Sequence, residues 1–489
     1  MIQDPILQRA LDECMREPIH LSGAIQPHGV LLVYERHSSR IVAASQNATS
    51  LFAMDRLIDL PVSDVLDPAA VAALDAMVLR GETRSSSQFI AQANVGEWGS
   101  VHDVSAHLAG TLVHVELEPV STQAAGGSSA SGAHAMAAAL EGMSAGHDFF
   151  QAVAEQVREL VGYDRVMVYR FLHDHSGEVI AEACAQDMSP YLGLRYPASD
   201  IPAQARALYL SNRIRVIPDV GYAPVPVLLS QALDGPLDMS YDVLRSVSPV
   251  HVEYLRNMGI AASMSVSLIV EGRLWGLVAC HHRTPRLVPA RQRTVLDMFG
   301  RHVSLILGAR DLRESGERLA QAREYCDRLE ERLSGVADAG EELRVAVANL
   351  RDALPGDGCA LLWGGRWLVG GVVPAPEVLE QALTWARTHA AGQMACTEVA
   401  SDWRDASSPA GDGCGVLAVR MPNAWMTGCS CSGGSNATRC AGRAARTAPS
   451  SSTRAPCALV RGPASKRGTS RSPAWRFRGP TTTSASSIA

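Results

Sequence analysis

Lysine is almost missing from this chain of 489 residues: Lys466 is the single one among 44 basic residues. That excludes a lysine-bearing phosphate loop or a lysine Schiff base in the body of the protein. No apolar run approaches the ~18 residues of a membrane span, and MIQDPILQRALDEC at the N-terminus lacks the layout of a secretory signal. A cytoplasmic protein is expected, its 11 cysteines free thiols rather than a disulfide framework. An H-E-x-x-H zinc motif is absent, so no conventional enzyme is expected. Acidic residues are missing from Met426 onward, where nine arginines and Lys466 stand unopposed. The rest of the chain then carries 34 basic against 50 acidic residues, a balance that argues against nucleic acid as partner.

What is present is ordinary globular material, 47% hydrophobic and 19% charged, long enough for about three domains. GVLLVYE and RIVAAS read as strands around the turn HSSR, and LVHVELEPV (112–120) as a closing strand of a first unit, 1–120. STQAAGGSSASGA is a linker composition. In a second unit, 134–305, HDFFQAVAEQVRELVG has helical spacing, with Phe150, Val153, Val157 and Leu160 on one face. DRVMVYRF and GEVIAEAC follow as strands, and ASMSVSLIV with LWGLVACHH as a hairpin around EGR. Alternation puts Ser263, Ser265 and Ser267 on one face of its first arm, either as a polar pocket wall or turned to water.

From about Arg291 to Val336 the pattern is amphipathic, charged and long, which suits a linking helix that dimerises; the alternative is a helix lying on its own domain. EELRVAVANLRDAL and PEVLEQALTWARTH read as helices, and CALLWGG, RWLVGGVV and GVLAVRMP as strands, of a third, incomplete unit, 306–425. From 426 to 489 the residues are almost all Ala, Arg, Ser, Gly, Thr, Pro and Cys, without periodicity, and are expected to pack no core. GC-rich codons read in a shifted frame give this composition; a natural basic tail is the alternative. CSCSGGSNATRC lacks the paired C-x2-C spacing of a zinc site.

Three segments carry the chemistry. YPASDIPAQARALYLSNRIRV (196–216) sets Asp200 between Pro197 and Pro202, with Pro202 in the first turn of a short helix, followed by Arg206, Arg213 and Arg215. LRSVSPVHVEYLRNMG (244–259) holds Arg245, His251 and Tyr254, and ACHH holds His281 and His282. Guanidinium forks, fixed acceptors and flanking aromatics together suit a large planar dicarboxylate. Singly, each residue has a plainer reading, as a solvated arginine, a surface histidine or a helix entry.

CMREPIHLSGAIQPHGVLLV (14–33), YPASDIP, SPVHVEYLRNMGI and LWGLVACHH in combination resemble the photosensory core of a bacteriophytochrome. The resemblance covers about Ile6 to Pro422. It implies an α+β architecture: PAS and GAF domains with antiparallel sheets and flanking helices, a knotted N-terminus, and a long helix leading to an incomplete PHY domain. It implies a red/far-red photoreceptor with biliverdin as chromophore, attached by a thioether to Cys14. Asp200, with Ile201 and Pro202 of the same motif, and His251 would lie by the pyrrole nitrogens. Arg215 and Arg245 would hold the propionates, with Ser263 and Ser265 near the second. His281 would meet the D-ring carbonyl, and Tyr169, Tyr196 and Tyr254 would wall the D-ring. The reaction implied is D-ring photoisomerisation in a homodimer, with no output kinase in this chain and no membrane partner.

One departure matters. The family's PHY tongue brings a Pro-Arg-x-Ser-Phe motif to the aspartate, and none follows Met421. A weak or short-lived far-red state is therefore expected. Cys184 and Cys280 are expected to be buried thiols, with a second attachment site as the alternative.

Overall fold

The computed structural model describes residues 17–80, 87–95, 99–120, 130–140, 142–143, 146–172, 174–333, 342–347, 349, 358–390, 394–397, 403, 415–421 and 424–430. Cys14, the linker's first residues and almost all of the C-terminal tail lie outside them. The chain divides into two compact units, one running to Arg310 and the second from Asp311.

The first unit opens with β1 (Ala24–Ile25), β2 (Val30–Glu35), β3 (Ile41–Ser45), α1 (Ala48–Phe52) and α2 (Pro68–Leu79), then β4 (Gln88–Val95), β5 (Ser100–Ala109) and β6 (Leu112–Pro119). Asp67 caps α2 by accepting from the Ala70 N–H at 2.7 Å, and Pro68 begins it, where a missing N–H leaves no bond unmade. The strand read as closing this unit is central: β6 lies between β2 and β5. Its alternation is fully used. Val113, Val115 and Leu117 enter an apolar core with Leu32, Leu74 and Val104. His114, Glu116 and Glu118 point the other way and are buried as well. A buried polar face needs partners, and Glu118 finds one in a bidentate ion pair with Arg293, both sides almost fully enclosed.

α3 (Ala130–Ala138) and α4 (His147–Val161) lead into a second sheet: β7 (Arg165–Phe171), β8 (Gly177–Cys184), β9 (Arg195–Tyr196), then α5 (Ala203–Ser211) and β10 (Ile214–Ile217). After β11 (Val225–Leu229) come α6 (Pro249–Asn257), β12 (Ala262–Val270) and β13 (Arg273–His282). The order is β10-β12-β13-β7-β8-β9. β11 does not join it. It pairs with β1 and β3, completing the first sheet with residues from beyond the second domain's start. The Met239 N–H also donates to the His20 carbonyl, tying the N-terminal segment to the loop after β11. The threading of residues ahead of Glu17 lies outside the described residues.

On α4 the buried face is Phe149, Val153, Ala154, Val157 and Val161; Val153 and Val157 are as expected, while Phe150 and Leu160 sit at its edge. Two adjacent phenylalanines fit the 3.6-residue period almost equally, and packing decides between them. Gly162 ends the helix at φ 63°, the left-handed cap that glycine adopts without strain. On β12, Met264, Val266 and Leu268 enter the core, while Ser265 and Ser267 are buried rather than turned to water.

α7 (Ala290–Leu333) is 44 residues long. Leu296, Phe299, Val303 and Leu307 lie in the second sheet's core, so its first half does rest on its own domain. Gly300 permits the close approach, because a Cβ there would stand 2.7 Å from Val266. Ser304 accepts from the Ile269 N–H, freed by a bulge in β12, at 3.0 Å. The C-terminal half belongs to the second unit. That unit continues with a helical stretch at 342–347 and with β14 (Gly358–Trp363), β15 (Arg366–Gly371), α8 (Pro376–His389), β16 (Met394–Thr397), β17 (Gly415–Met421) and β18 (Ala424–Ser430), in sheet order β15-β14-β18-β17-β16. The first five residues of the stretch read as a structureless tail, 426–430, are the end of β18. No helix among the described residues is long and apolar enough to cross a membrane.

Candidate functional site

The segment from Tyr196 to Val216 makes one wall of a cleft. A short 3-10 turn, Ala198–Asp200, holds the acid, and Pro202 stands one residue earlier than expected, as the N-cap of α5. The Asp200 carboxylate accepts from the Tyr254 hydroxyl at 3.2 Å. Arg206 turns back onto the Ile201 carbonyl at 2.5 Å and so fixes the turn rather than entering the cleft. Arg215, on β10, donates to the carbonyls of Val243 at 3.2 Å and Arg245 at 2.5 Å.

The cleft is open to solvent on one side and holds about 880 Å³ of empty space, its open mouth included. Of the expected site residues, Asp200, Ile201, Pro202, Arg215, Arg245 and His251 line it. Two guanidinium groups thus face one cleft. Arg245 is buried, and its Nε and Nη1 have no hydrogen-bond partner. Burial, and then the neighbouring Arg215 charge, lower its ordinary pKa to about 9. An unpaired buried cation is costly, so this site is built to take an anion. Burial pushes the Asp200 carboxyl up to about 6, partly offset by the Tyr254 hydrogen bond. Burial, and then Arg215, push His251 down to about 4, leaving a neutral imidazole with both donor and acceptor capacity.

Cys14 lies outside the described residues, and the remaining expected residues stand around the cleft rather than on its lining. Tyr254 stacks on His251, centroids 6.1 Å apart and planes 15° apart. Tyr169 and Tyr196, centroids 6.1 Å apart, form an apolar cluster with Met167, Val179 and Leu277, against which the lining residues Ile201 and Tyr209 pack. Ser265 is the cross-strand partner of Arg215, and Ser263 that of both Ile217 and His281. His281 is buried with Nδ1 unpartnered; burial, then the Arg165 and His251 charges, lower its pKa to about 3. Cys280 is buried in the sheet's core, Cys184 is half-buried at the end of β8, and neither lines the cleft.

Residues 14–120 match the PAS fold, 146–307 the GAF domain and 322–427 the phytochrome region. The solved structure of the bacteriophytochrome RpBphP3 from R. palustris superposes with a TM-score of 0.74 at 29% identity, covering 86% of each chain. The bacteriophytochrome of Pseudomonas aeruginosa is 37% identical over 73% of this chain and 49% of its own length. The chain belongs to the bacteriophytochromes. Cyanobacterial phytochrome B of Nostoc sp. is also similar, at 36% identity over 75% of this chain and 50% of its own. This bacteriophytochrome core therefore spans about half the length of the curated relatives it matches.

Sequence reasoning missed one wall of the cleft in this bacteriophytochrome. Ala205, Leu208 and Tyr209 face it from α5, and Asn212 from its C-cap. Their spacing is the helical i, i+3, i+4, i+7 pattern, which was there to be read. Glu17 was missed too; it lines the cleft and accepts from the Ser248 hydroxyl at 2.6 Å.

Proposed function

We propose that this chain binds biliverdin in the cleft, joined by a thioether to Cys14, and acts as a red/far-red photoreceptor that signals through a homodimer. One observation carries the reading: two guanidinium groups, one with unpartnered donors, face the same cleft as Asp200 and His251. A linear tetrapyrrole has two carboxylates and a row of ring nitrogens and fits that donor set. When bound, the bilin supplies light absorption and the C15=C16 bond about which its D-ring rotates. Arg215 and Arg245 bind the propionates as planar forks, with Ser263 and Ser265 as supplementary donors. Asp200 and neutral His251 accept from ring N–H groups, and His281 offers its unpartnered nitrogen to the D-ring carbonyl. Tyr169, Tyr196 and Tyr254 exclude water.

Among the described residues the Asp200 carboxylate is bonded by Tyr254. The sequence after Met421 carries no tongue arginine to join it, so the far-red product is weak or short-lived. Dimerisation has its own support: Met298, Leu305, Leu312 and Leu319 recur every seven residues along α7 and are 45–72% exposed. A seven-residue apolar repeat is the seam of a coiled coil.

The test is an absorption spectrum of the purified chain with biliverdin, before and after red light, with Cys14→Ala and Arg245→Ala alongside. A sharp red band, with zinc-dependent fluorescence on a denaturing gel lost only in Cys14→Ala, supports covalent binding. Bleaching without a stable far-red band supports the impaired cycle, and full far-red conversion refutes that part. No red band at all overturns the photoreceptor reading and leaves a dimerising scaffold.

A further inference from the structure

The buried polar face of β5 and β6 holds a second constellation, separate from the cleft lining. His107 and His114 are directly opposed across the two strands, ring centroids 4.5 Å apart. Asp242 comes to them from the loop between β11 and α6. Both of its carboxylate oxygens lie 3.0 Å from His114 Nδ1, and Oδ1 lies 3.8 Å from His107 Nε2. All three residues are at most 1% exposed. His107 has no hydrogen-bond partner at either ring nitrogen, and His114 has none at Nε2. Each unsatisfied buried polar group costs about 1–3 kcal/mol, so three in one cluster call for an explanation.

We propose that His107, His114 and Asp242 form a closed binding site for a divalent transition-metal ion, zinc by preference. Imidazole and carboxylate are zinc's ordinary nitrogen and oxygen ligands. Donors at about 2.0–2.1 Å around a tetrahedral ion stand about 3.4 Å from one another, between the 3.0 and 3.8 Å separations here. One donor atom from each of the three residues already lies within 4.8 Å of the others. Glu116 lies two residues after His114 on the same strand face but outside that grouping; its Oε2 is buried without a partner, while Oε1 is held by the Leu244 N–H at 2.6 Å. On binding, the ion takes the place of the hydrogen bond between His114 and Asp242, and the neutral His114 ring carries its proton on Nε2. The enclosure requires that the ion enter as the chain folds. Once in place it fastens the loop carrying Val243 and Arg245 to the first sheet, and Arg215 is bonded to that same loop. The ion thereby braces the cations of the cleft.

The test uses the full chain with bilin, expressed in zinc-supplemented medium. Elemental analysis should give one zinc per chain that survives dialysis. X-ray absorption should show a nitrogen/oxygen shell at about 2.0–2.1 Å with imidazole scattering. His107→Ala and Asp242→Asn should each lose that zinc. If these variants fail to fold, the wild-type spectrum decides alone. A sulfur shell at about 2.3 Å would put the ion on cysteines and overturn the proposal. So would zinc well below one per chain in the wild type, or undiminished zinc in folded variants.

Discussion

Replacing Asp200 by asparagine should make the bilin-free chain more stable at neutral pH. Burial holds the carboxyl at about 6 instead of its ordinary 3.8. The folded state therefore binds the proton more tightly than the unfolded chain does. Stability from this group is fully present below the unfolded pKa, falls as pH rises, and is gone above about pH 6. The full shift corresponds to about 3 kcal/mol, at roughly 1.4 kcal/mol per pH unit. Asparagine keeps an oxygen acceptor for the Tyr254 hydroxyl and carries no charge to desolvate. The variant should lead the wild type at about pH 8 by up to about 3 kcal/mol and lose about 1.4 kcal/mol of that lead by about pH 5. Urea denaturation curves at the two pH values measure both quantities. Equal stability at about pH 8, or a lead that grows as pH falls, would refute the reasoning. A charged carboxylate kept in the cleft against this cost is what a functional site looks like when stability is traded for chemistry.

Arg293→Met should cost about 3–5 kcal/mol, because it leaves Glu118 charged and buried. The double variant with Glu118→Leu should recover most of the loss, and thermal denaturation of the three proteins measures it. Gly177→Ala would place a Cβ 1.8 Å from the Tyr169 ring. It should destabilise by about 1–3 kcal/mol and broaden the red absorption band, since Tyr169 must move. Leu305→Asp removes one exposed leucine from the seven-residue stripe. Burying a leucine is worth about 1.5–3 kcal/mol, so self-association should weaken about ten- to a hundredfold by analytical ultracentrifugation, while the monomer's absorption stays unchanged.

Local pattern was enough for much of this protein. Alternation in GVLLVYE, GEVIAEAC and ASMSVSLIV marks strands, and the charged amphipathic run after Arg291 marks one long helix, because each pattern follows from the backbone's own period. The motif residues Asp200, Arg215, Arg245 and His251 could be named from sequence, and they do face one cleft. Tertiary structure decided the rest. Phe149 rather than Phe150 fills the core, since neighbouring positions on a helix differ only in what packs against them. β11 completes a sheet begun some 200 residues earlier in sequence (Val225 pairs with Ile25), and no local period reports a partner that distant. His107, His114 and Asp242 are unremarkable in the sequence. They become a cluster only because strand register and a distant loop bring three polar groups into a space that water does not reach.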